Sequence, residues 1–96
     1  MTTYQLKVNN RTVWKLEFSR EAAKAFLRMP RDQALRVRRK LDELVRDPLN
    51  TPNVKKLTEH PGFRLQVGDW RVAYLLDHGA VVVQVIRVAQ RGEVYR

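Results

Sequence analysis

The sequence predicts an α+β fold, with two N-terminal antiparallel helices packed on one face of a small, mainly antiparallel β-sheet. Three observations predict it. Apolar residues recur at helical spacing from Ala22 to Val45, in two stretches divided by Pro30. Apolar and polar residues then alternate strictly on both sides of Gly68-Asp69, and a nearly unbroken apolar run follows from Val81 to Ile86.

Taken in order, 4–8 and 13–18 both alternate, and Asn9-Asn10-Arg11 between them reads as a turn, so an N-terminal hairpin is expected. Ser19 offers a helix N-cap, with Glu21 in the first turn where the helix dipole favours a carboxylate. Ala22, Phe26 and Met29 fit a short helix over about 20–28, which Pro30 ends while opening the next. That second helix, about 31–46, carries Ala34, Val37, Leu41, Leu44 and Val45 in one stripe and six cations elsewhere: Arg31, Arg36, Arg38, Arg39, Lys40 and Arg46. This basic face reads either as a solvated surface or as an electrostatic apron for a partner. Asp47-Pro48 stops the helix, and 48–62 reads as a loop.

The hairpin Phe63–Tyr74 is the organising stretch. A two-residue Gly68-Asp69 loop of type II′ sets Val67 opposite Trp70 and Gln66 opposite Arg71. Phe63, Leu65, Val67, Trp70, Val72 and Tyr74 then share one face, while Arg64, Gln66, Arg71 and Ala73 share the other. Arg64 and Arg71 become diagonal neighbours roughly 7–8 Å apart, a separation that one phosphate can bridge. Asp77-His78-Gly79 turns the chain into a third strand, about 80–88, whose continuous valines predict a central place in the sheet. The length of that turn decides which face Gln84 and Arg87 occupy, and the sequence leaves it open.

The 96 residues, 44% of them hydrophobic, suffice for one domain with a single core. The chain has no cysteine, which removes disulfides and cysteine-based zinc sites. No apolar run approaches the ~20 residues that span a bilayer, and the polar start lacks a signal-peptide core, so a cytoplasmic protein is expected. Nineteen Lys and Arg against ten Asp and Glu leave a net charge of +9, which predicts attraction to nucleic acid, an anionic membrane face or an acidic protein. His60 and His78 stand alone in turns, Ser19 is explained as a cap, and the four glycines are scattered. Metal, serine-nucleophile and phosphate-loop chemistry thus find no support, and no cofactor is expected.

Arginine and tyrosine remain. Arg64, Arg71, Arg91 and Arg87 come from three strands or strand ends, and arginine binds phosphate oxygens in bidentate fashion with a permanent charge. Tyr95 offers a hydroxyl and a flat ring on which a base can stack. Each has a structural alternative: Arg71 pairing with Asp69 or Glu93, and Tyr95 closing the sheet edge over the core.

Asp47-Pro48, Lys56-Leu57, the hairpin Phe63–Tyr74, Val88 to Arg91 and Glu93-Val94-Tyr95 together resemble the RelE/ParE superfamily of bacterial toxins, the toxin halves of type II toxin–antitoxin pairs. The resemblance runs from about Val13 to Tyr95 and leaves 1–11 as an N-terminal extension of a single RelE-like toxin domain. It implies the RelE-like microbial RNase fold and, in the RelE-like branch, a ribosome-dependent, metal-independent mRNA endonuclease that inhibits translation. Carried over residue by residue, it implies Arg64, Arg71, Arg91 and Tyr95 as the catalytic set. Lys55, Lys56, Gln66 and Arg87 are the accompanying candidates for RNA contact. Gln66 departs from the pattern, because a second basic residue credited with proton transfer often stands there. The implied partners are mRNA on the ribosome and a cognate antitoxin whose acidic segment wraps the toxin, with no membrane and no small-molecule cofactor. Two other readings stay open: a ParE-like inhibitor of DNA gyrase without nuclease activity, and a non-catalytic basic RNA-binding module.

Overall fold

The structure is a computed structural model that describes residues 13–90. Its elements, in chain order, are β1 (Lys15–Phe18), α1 (Arg20–Arg28), α2 (Arg31–Arg46), β2 (Val54–Lys56), β3 (Phe63–Val67), β4 (Trp70–Asp77) and β5 (Val82–Gln90). The strands form one five-stranded sheet in the order β1-β5-β4-β3-β2, in which only the β1–β5 pair is parallel. Two helices packed against a mostly antiparallel sheet make this the expected α+β fold.

Both helices follow from their caps and stripes. The Ser19 hydroxyl accepts a hydrogen bond from the Ala22 amide at 3.0 Å and donates one to the Ile86 carbonyl at 3.0 Å. The cap that starts α1 therefore also pins it to β5. In α2, Val37, Leu41, Leu44 and Val45 are buried, while Arg38 and Lys40 lie outward, paired with Asp42 at 3.1 Å and Glu43 at 3.6 Å. Such exposed pairs contribute little to stability. The apolar core joins Ala22 and Met29 and the α2 stripe to Leu65, Val67, Val72, Tyr74, Val83, Val85 and Val88, so the helices cover one face of the sheet. Burying these side chains is the main term that holds the layers together.

The hairpin register is as the alternation predicts: Val67 opposes Trp70, Gln66 opposes Arg71 and Arg64 opposes Ala73. Gly68 takes φ +58° at the first turn position, a backbone that a type II′ loop needs and that glycine adopts without strain. The Trp70 indole N–H donates to Gln33 Oε1 at 2.7 Å, tying the turn to the start of α2.

Two expectations need correction, and a third falls outside the described residues. The stretch 48–62 is not wholly loop: Val54–Lys56 pairs with β3 as an edge strand. Three residues containing two lysines are too short and too polar to register as a strand, and pairing with β3 is what makes them one. The third strand begins at Val82 and not Ala80, because Asp77 pairs with Val82 across a four-residue turn in which the Asp77 carboxylate accepts from the Ala80 amide at 3.0 Å. The first half of the expected N-terminal hairpin, 4–8, and the 1–11 extension lie outside the described residues, while 15–18 pairs in parallel with β5. The central position expected for the valine-rich strand is observed, since β5 lies between β1 and β4.

Candidate functional site

The sheet face opposite the helices carries the candidate residues. Reading across the strands, Lys55, Arg64, Ala73 and Arg87 form one row, and Gln66, Arg71 and Ala89 form the next. Arg64 and Arg87 flank Ala73, and Arg71 stands two residues from Ala73 on the same strand. Arg71 is thus a diagonal neighbour of both other arginines, roughly 7–8 Å from each. Three arginines thus neighbour one alanine in the register of the open face.

A β-bulge in β5 makes this possible. Ala73 pairs with Arg87, but the next residue, Tyr74, pairs with Val85, leaving Ile86 as the extra residue. Gln84 and Arg87 have opposite parity along the chain, and the inserted residue brings both to the open face. The alternation alone leaves their face undecided, because a bulge of this kind has no sequence signature here.

Between the arginines the floor is low. Ala73 is 5% exposed and Ala89 7% exposed, so small side chains are overlaid by the longer ones around them. A depression of about 650 Å³ opens beside them, lined by Asn53, Val54, Lys55, Arg64, Gln66, Gly68 and Arg71. Arg87 borders Ala73 from the far side and does not line the depression. Arg71 Nε is itself buried, so the base of that guanidinium is held within the face. The Gln66 amide donates to the Gly68 carbonyl of its own turn, which fixes its side chain along the hairpin.

Of the eight residues singled out in the sequence, the structure brings five together: Lys55, Arg64, Gln66, Arg71 and Arg87. Lys56 does not join them. It pairs with Phe63, one register step from Lys55, and so belongs to the helix-side face. Arg91 and Tyr95 lie outside the described residues. Sequence reasoning missed Asn53, which lines the depression and whose backbone carbonyl accepts from the Gln66 backbone N–H at 3.0 Å. It also missed the part played by Ala73 and Ala89, although small residues alternating with arginines along a strand carry the signal. Among the described residues no three His, Asp or Glu side chains cluster as a metal site requires, and no helix is long and apolar enough to cross a membrane.

Permanently charged, multidentate donors around a shallow polar floor suit an anion with several oxygens, and a phosphodiester fits that description. Comparison with known proteins finds toxins of type II toxin–antitoxin systems. The family described as "ParE toxin of type II toxin-antitoxin system, parDE" matches residues 16–95. Among solved structures, the chain is similar to the RelBE2 toxin–antitoxin complex of Mycobacterium tuberculosis, with a TM-score of 0.73 and 23% identity, over 83% of this chain and 100% of that one. It is similar to the RelE–RelB complex of Pyrococcus horikoshii OT3, with a TM-score of 0.72 and 22% identity, over 84% of this chain and 98% of that one. It is also similar to the isolated RelE toxin of E. coli, with a TM-score of 0.71 and 28% identity, over 85% of this chain and 90% of that one. Comparison with curated protein sequences finds no significant match.

Proposed function

This chain belongs to the ParE toxin family of type II toxin–antitoxin systems, within the RelE/ParE superfamily, and on that premise we propose that it is a ribosome-dependent mRNA endonuclease. The observation that carries the proposal is the triangle of Arg64, Arg71 and Arg87 around Ala73 on the uncovered sheet face.

RNA supplies its own nucleophile, the 2′-hydroxyl beside the scissile phosphate. Attack on phosphorus needs cationic donors for the charge that builds on the non-bridging oxygens, a proton acceptor for the hydroxyl and a proton for the leaving 5′-oxygen. Arg71, at the apex of the triangle, binds the scissile phosphate together with Arg91. Arg64 stabilises the developing charge or orients the attacking hydroxyl. Arg87 and Lys55 hold the flanking backbone. Gln66 cannot titrate and arginine stays protonated, so the role of proton acceptor is assigned to Tyr95. The ribosome's part is to hold mRNA extended so that these groups meet one linkage.

The partner is a cognate antitoxin, in keeping with structural relatives that are themselves toxin–antitoxin complexes. We assign its acidic segment to the cationic outer side of α2. Leu27 on α1, 82% exposed, and Leu35 on α2, 57% exposed, offer apolar contact there.

One observation favours a second reading, inhibition of DNA gyrase without cleavage: the matching family is that of ParE toxins. Primer-extension mapping of cellular mRNA after induction separates the two. Cleavage inside translated frames supports the endonuclease. Intact message with arrested replication and DNA damage overturns it in favour of gyrase.

A further inference from the structure

We propose that Glu17 and Gln84 form a recognition site for the Watson–Crick edge of a guanine base, in the single-stranded chain that the arginines grip; the inference rests on the reading of the open face as an RNA surface. Glu17 and Gln84 are register partners across β1 and β5, and both point to the open face. They line a second hollow of about 220 Å³, with Phe18, Ser19, Val85 and Ile86 around them. Ser19 is already committed as helix cap and as donor to Ile86, while neither the Glu17 carboxylate nor the Gln84 amide has a hydrogen-bond partner among the described residues.

The charge pattern selects the ligand. This face otherwise carries Lys15, Lys55, Arg64, Arg71 and Arg87; its carboxylates are Asp77, at the end of β4 in the row of Lys15, and Glu17, which stands beside the hollow. A carboxylate repels phosphate, so the group seated beside it is a base and not backbone. Guanine presents two adjacent donors, N1–H and the 2-amino group, to a carboxylate, and its O6 accepts from an amide N–H. Glu17 and Gln84 supply that set side by side. Adenine offers N1 as an acceptor where the carboxylate needs a donor, and uracil sets a carbonyl oxygen against it. The bulge at Ile86 brings Gln84 and Arg87 to the same face, three residues and roughly 10 Å apart at ~3.3 Å per residue. A nucleotide chain held at the arginines therefore reaches the hollow within a step or two.

The test measures anisotropy of labelled heptaribonucleotides, 2′-O-methylated to prevent cleavage, with the free full-length chain. The probes are all-uridine except at the central position, which carries guanosine, inosine, adenosine or uridine. Guanosine should bind about tenfold more tightly than adenosine or uridine, with inosine between, because a good bidentate base contact discriminates by ~1–3 kcal/mol. Glu17→Gln should reduce the preference for guanosine to twofold or less, whatever its effect on the all-uridine probe. Arg71→Ala should weaken every probe alike. Equal binding of all four probes by the unmodified protein overturns the guanine site and leaves the RNA surface standing, as does a preference that survives Glu17→Gln. Binding of none of them overturns both.

Discussion

Tyr74 sits at the back of the candidate site, one residue from the Ala73 floor, with its ring 5.6 Å from that of Phe63. It is 0% exposed, its hydroxyl has no hydrogen-bond partner among the described residues, and burial pushes its pKa up from 10.0 to about 12. Tyr74→Phe removes that hydroxyl and little else. Leaving a buried polar group unsatisfied costs about 1–3 kcal/mol, partly offset by the contacts the oxygen makes, so the variant should gain about 1 kcal/mol at pH 7. The larger effect is alkaline. The folded state holds the phenol neutral, whereas the unfolded chain ionises it near pH 10, so between pH 10 and about 12 unfolding releases a proton. Stability from this group is intact below pH 10 and falls by ~1.4 kcal/mol per pH unit above it, roughly 3 kcal/mol across the window. The phenylalanine variant lacks that component. Urea unfolding followed by tryptophan fluorescence at pH 7, 9, 10 and 11 reads both effects. Parallel losses above pH 10 in the two proteins, or a destabilised variant at pH 7, would refute the reasoning.

Other outcomes follow from the same geometry. Arg71→Ala and Arg64→Ala each remove a charge-assisted phosphate contact of ~1.5–3 kcal/mol, so each should slow message cleavage about ten- to a hundredfold and relieve growth arrest. Full toxicity in both would defeat the site. Ser19→Ala loses the α1 cap and the bond to Ile86, and should cost about 1–2 kcal/mol in urea unfolding. Gly62 has φ +111°, and a Cβ there would fall 2.6 Å from the Tyr74 carbonyl oxygen. Gly62→Ala should therefore lose at least about 2 kcal/mol, visible as a lowered thermal midpoint.

The hairpin was legible in full because two local rules agree on it: a two-residue glycine turn sets the pairing, and period-two alternation then assigns every side chain to a face. Both helices were legible for a similar reason, since Ser19, Pro30 and Asp47-Pro48 mark their ends and the stripe marks their buried side. What escaped was decided at a distance. Lys55 and Lys56 become strand only by lying against β3, and Lys56 leaves the site because pairing sets its parity. The bulge at Ile86 reconciles a fixed pairing at the Gly68 end of β4 with another at Val82, and neither end of that constraint is local. The hollow at Glu17 and Gln84 joins strands from opposite ends of the described chain, so no stretch of sequence contains it.

The cap of α1 reaches Ile86 across 67 residues, and β1 docks on the strand that contains it. The arginine-bearing hairpin therefore waits for β5, which is sandwiched between a partner made early and a partner made late. While the polypeptide is still emerging, Arg64 and Arg71 exist but the platform that aims them beside Arg87 does not. The grip is a property of the finished molecule. The three arginines of the open face share one sheet only once the C-terminal strand lies between β1 and β4.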